Sequence, residues 1–88
     1  METSSTRELR NEIWLAAAKH GHTKSTCAFL VAQRSPQGGW YVVPASDYMQ
    51  AESTALNGKV KGIERYVVSA NDQHGIQHIV DGKLVDLA

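Results

Sequence analysis

The chain has 88 residues, 42% hydrophobic and 20% charged, and its nine basic and nine acidic side chains cancel. This is enough for one hydrophobic core but not two domains; the composition excludes a disordered chain, and neutrality excludes a general pull toward nucleic acid or anionic membrane. The single cysteine, Cys27, excludes an intramolecular disulfide, and with no basic-then-apolar leader and no apolar run near the roughly 20 residues a bilayer requires, the expectation is a cytoplasmic protein without membrane contact.

Residues 1–4 read as a frayed leader. Ser5-Thr6-Arg7-Glu8 then has capping-box spacing, which predicts a helix from about residue 5. Leu9, Ile13, Ala16, Ala17 and His20 recur at the helical period with Trp14 beside them, Arg10 falls on the polar remainder, and Gly21 is the expected stop. A polar connection leads into Cys27–Gln33, apolar on both alternating faces and read as a central strand. Arg34-Ser35-Pro36-Gln37-Gly38-Gly39 is a reversal into a second strand, Trp40–Val43, so the two form a hairpin.

Pro44 is expected to end that strand and Ser46 to cap a second helix from Tyr48 toward Leu56, with Asn57-Gly58 as its stop. Ser53, Thr54 and a thin apolar set weaken this helix, so a loop across residues 53–62 is the alternative. Glu64–Ala70 and Ile76–Val80 read as strands around a turn at 71–75, and Asp81-Gly82 predicts a tight hairpin into Lys83–Leu87. The fold class is therefore α+β: residues 1–88 form a single domain in the order helix, strand, strand, helix, strand, strand, strand, with an antiparallel sheet of about five strands. Strands apolar on both faces need two covers. The second helix, a curled sheet or a second copy would serve, and the last option motivates a homodimer.

Chemistry-bearing residues are sparse. His20, His22 and Cys27 include the ligand types of a zinc site near a helix end, but neither their spacing nor that of His74 and His78 matches an established zinc pattern. Cys27 beside a histidine could act as a nucleophile, yet no cysteine-enzyme signature surrounds it, and a core thiol is the simpler reading. Glu52, Glu64, Asp72 and Asp86 are scattered, and the glycines punctuate turns without a phosphate-loop ending. No catalytic residue, metal or cofactor is assigned.

Two binding readings remain. Trp40, Tyr41 and Tyr66 are residue types that supply large contact areas at protein interfaces, which favours a non-enzymatic protein-binding module of inhibitor, adaptor or regulatory type. The alternative is a nucleic-acid surface built from Arg34, Lys59, Lys61 and Arg65 with stacking aromatics, and a small metal-dependent or cysteine enzyme ranks third.

Overall fold

A computed structural model describes residues 4–57, 64–71 and 75–87. The first helix, α1, spans Ser4–Ala18 and buries Thr6, Arg10, Ile13, Trp14 and Ala17. This stripe keeps the helical period but is turned toward Trp14, whose indole has more area to hide than the alanine at 16. Arg10, expected on the polar side, is therefore buried, and His20 lies beyond the helix and is exposed. The helix already includes Ser4, so Ser5 sits in its first turn instead of capping it; serine is tolerated there because the first amides lack helical partners in any case.

Gly21 stops the helix as expected, with φ of 84°. Its amide donates to Ala18 O at 3.1 Å and the His22 amide reaches back to Ala17 O at 3.0 Å, the hydrogen-bond pair of a glycine-terminated helix. The chain then makes a turn in which Thr23 O accepts from the amides of Thr26 and Cys27 and from Cys27 Sγ. Cys27 thus belongs to a turn and not to the predicted strand: its donors serve Thr23, and the ladder starts two residues later.

Strand β1 is Phe29–Arg34 and β2 is Trp40–Ala45, paired antiparallel with Val31 opposite Val43. In the connecting turn the Gly38 amide donates to Ser35 O, the Ser35 amide donates to Gly39 O, and Gly38 takes φ of 95°, which only glycine adopts readily. Pro44 lies inside β2 and does not end it. Because residues 35 and 39 form a hydrogen-bonded pair, alternation turns the nitrogen of residue 44 away from β1, and β2 is an edge strand, so no ladder bond is lost.

Helix α2, Tyr48–Leu56, keeps residues 53–56 helical; Gly58 lies outside the described residues. Strands β3 (Arg65–Ser69), β4 (Gln77–Val80) and β5 (Lys83–Asp86) complete an antiparallel sheet in the order β2-β1-β3-β4-β5. The order of elements matches the sequence reading. Strand β3 returns to the free edge of β1, so α2 bridges two strands that flank β1. The Asp81-Gly82 turn has φ of 51° and 76°, both positive as the tightest hairpins require.

The sheet has a helix on each face. Leu30, Ala32 and Val68 pack under α1 with Ile13, Trp14 and Ala17, whereas Val31, Ala45 and Val67 pack under Ala51 and Ala55 of α2. The thin apolar set of α2 suffices because two alanines four residues apart allow a close approach to valines on the sheet. No helix among the described residues is long and apolar enough to cross a membrane.

Candidate functional site

Residues Glu12, Leu15 and Ala16 recur at the helical spacing and form a second stripe of α1 beside the buried one, extended by Lys19 in the turn just past its end. This stripe faces the β1–β2 hairpin across a groove of about 460 Å³, whose far wall is Gly38, Gly39 and Trp40. A Cβ added at either glycine would meet nothing within 4 Å, so the groove is open at the hairpin end. Leu15 beside it is 68% exposed, a large apolar side chain in water.

Trp40 is held from three sides. Its Nε1 donates to Glu12 Oε1 at 3.0 Å, the Arg34 guanidinium carbon lies 4.1 Å from its ring centroid, and Tyr66 meets it edge-on at 5.8 Å between centroids. Arg34 in turn approaches Glu12 Oε1 at 3.3 Å and Glu64 Oε2 at 3.6 Å, and the Tyr66 hydroxyl donates to Glu64 Oε2 at 3.0 Å. Burial, joined by the hydrogen bond and charge of Glu64, raises the Tyr66 pKa above its ordinary value, with Arg34 opposing.

Trp40, Tyr66 and Arg34, assigned from sequence to two different readings, thus meet in one cluster. Tyr41 does not join them: it points to the opposite face and is 64% exposed. Arg65 is also on that opposite face, where Nε and Nη2 donate to Gln33 Oε1 and Nη1 donates to Ala55 O at the end of α2. This arginine closes a helix terminus and is only half-exposed. Lys59 and Lys61 lie outside the described residues, as does His74.

Among the described residues, no three His, Cys, Asp or Glu side chains gather into a metal-holding group, so His20, His22 and Cys27 form none. His20 lines the groove, His22 is half-buried at the helix end, and His78 is opposite Tyr66 in the β3–β4 register. Cys27 is also half-buried; burial raises its thiol pKa, partly offset by Thr26. A higher thiol pKa leaves less thiolate at neutral pH, which opposes nucleophilic use.

Sequence reasoning missed Glu12 and Leu15. Glu12 was indistinguishable from other polar residues of an amphipathic helix, but Leu15 carried a usable signal, being a leucine away from the core stripe. A second cleft, also about 460 Å³, opens on the α2 face between Phe29, Tyr48, Gln77 and Asp86. Its lining comes from five elements, β1, α2, β3, β4 and β5, so no local motif announces it. No protein-family model, curated protein or solved structure matches the chain.

Proposed function

We propose that this protein is a non-enzymatic binding module that recognises a segment of another protein in the groove between α1 and the β1–β2 hairpin. The supporting observation is the fixed Trp40 beside the exposed Leu15: a preorganised tryptophan flanked by arginine and tyrosine has the composition of an interface hot spot, with little side-chain entropy left to lose. Lys19 and His20 line the same groove while the Glu12 carboxylate is engaged by Arg34 and Trp40, so the partner segment is expected to carry an apolar anchor flanked by acid.

The nucleic-acid reading has less support. Arg34 faces two carboxylates and Arg65 serves the end of α2, which leaves neither as an uncompensated phosphate contact. Self-association is also proposed, through the β2 edge: α2 supplies within one chain the second cover that first motivated a dimer, so the proposal rests instead on Tyr41 and Val43, which stay exposed on that edge.

The test is affinity capture from the native host, followed by titration of the recovered species against wild type, Leu15→Glu and a distant control, Lys83→Glu. Leu15→Glu should weaken binding about tenfold or more with the control unchanged. Recovery of RNA or DNA with steeply salt-dependent affinity, or equal binding by the Leu15 variant, would refute the groove reading.

A further inference from the structure

The cleft on the α2 face lies at the opposite end of the sheet from Trp40, and three of its polar side chains form one directed chain, while Ser69 Oγ accepts separately from the Asn71 amide. Tyr48 donates its hydroxyl to Gln77 Oε1 at 2.6 Å, and Gln77 Nε2 donates to Asp86 Oδ1 at 3.2 Å. A carboxylate only accepts, so Asp86 fixes which end of the Gln77 amide faces it, and the Gln77 oxygen then obliges Tyr48 to donate. The acceptor sites this chain leaves for a ligand are the second oxygen of Asp86 and the lone pairs of Tyr48, beside one remaining N–H of Gln77. The floor is apolar, with Phe29 edge-on to Tyr48 at 5.8 Å and Val67 beneath. No basic side chain is among the described lining residues.

We propose that this cleft binds an organic ammonium group carried on an apolar body, the cation at Asp86 and Tyr48 and the body against Phe29 and Val67. Three features agree on that class. The volume falls within the roughly 300–1,000 Å³ of small-molecule sites. The acceptor-rich network suits a donor-only head group, and two aromatic rings add faces that attract a cation and apolar area for its stem. The same chemistry occurs in a free arylalkylamine and in the lysine side chain of a peptide, and the two are separable.

Amide chemical shifts should be followed while the protein is titrated with phenethylamine, with neutral phenylethanol and with a blocked lysine peptide. Phenethylamine should give saturable shifts at Gly75, Gln77 and Asp86 and at the Gln77 side-chain amide, with phenylethanol about tenfold weaker. Asp86→Asn should weaken the amine by a similar factor while its own spectrum shows the fold intact, and Tyr48→Phe should weaken it less. Saturation by phenethylamine alone identifies a free amine as the ligand type; saturation by the lysine peptide as well identifies a lysine side chain. Equal binding of amine and alcohol, indifference to Asp86→Asn, or no localised shift with either cationic probe would overturn the proposal.

Discussion

Tyr66 shows how a single side chain can be read correctly for its type and incompletely for its role. Its size marked it as a contact residue, and its hydrogen bond to Glu64 is local, but the edge contact to Trp40 depends on β1 lying between β2 and β3, a pairing that no local pattern specifies. The raised pKa has a signed consequence. A folded-state value above the ordinary tyrosine value of about 10 means the folded chain holds the phenolic proton more tightly than the unfolded chain, so this contribution is complete below about pH 10 and is lost as pH rises through the folded value. Stability measured by urea denaturation should therefore fall more steeply above about pH 10 in wild type than in Tyr66→Phe. Identical alkaline slopes would show that neither burial nor Glu64 makes the folded chain hold the Tyr66 proton more tightly. Glu12, by contrast, was invisible as a positioning residue because nothing in sequence says which helical glutamate will meet a tryptophan 28 positions away.

Elements were legible where backbone chemistry is local. Gly21, Gly38 and Asp81-Gly82 each mark a positive-φ position and each ends or reverses an element as expected. Errors of one or two residues arose where side chains competed for the same role. At α2 both Ser46 and Asp47 are capping types, and the structure uses Asp47: its Oδ1 accepts from the Gln50 amide at 2.8 Å, while Gln50 Oε1 reaches back to the Ser46 amide and hydroxyl. Asp47 wins because a carboxylate at a helix start also meets the positive end of the helix dipole. Thermal or urea denaturation should accordingly show a loss of about 1 kcal/mol for Asp47→Ala and less than about 0.5 kcal/mol for Ser46→Ala. The reverse order would restore Ser46 as the cap. The loop alternative for residues 53–56 failed for a tertiary reason: burying Ala51 and Ala55 against Val31 and Val67 outweighs the modest helix propensities of Ser53 and Thr54.

At the scale of the molecule, the sequence required two covers for the sheet but did not assign them, and the strand order made α2 the second. The sheet ends in two edge strands, β2 and β5, and β2 carries the exposed Tyr41 and Val43. Hydrogen bonding between Ser35 and Gly39, with the Arg34 amide directed to Glu64 O, sets the alternation so that the backbone of Trp40 and Val42 points away from β1. Antiparallel pairing with a second copy about Val42 would place Trp40 opposite the partner's Pro44, where the Trp40 amide meets the proline carbonyl while the Trp40 carbonyl finds no N–H, so each such pair forms one ladder bond instead of two and the association is weakened. The same register sets Tyr41, 64% exposed, opposite the partner's Val43, 48% exposed, an aromatic and β-branched pair worth roughly 0.2–1 kcal/mol on each side of the axis. Six-residue strands bury less than the roughly 1,600 Å² of a standard stable interface, so the expected state is a reversible monomer–dimer equilibrium and not a permanent dimer. Light scattering over a wide concentration range should show mass rising toward twice the chain mass. Val43→Lys, placed on an exposed position and guarding the edge with a charge, should hold the protein monomeric without loss of stability. A monomeric mass for wild type at every concentration would remove the β2 edge as a self-association site, and an undiminished dimer in the Val43 variant would move the contact elsewhere.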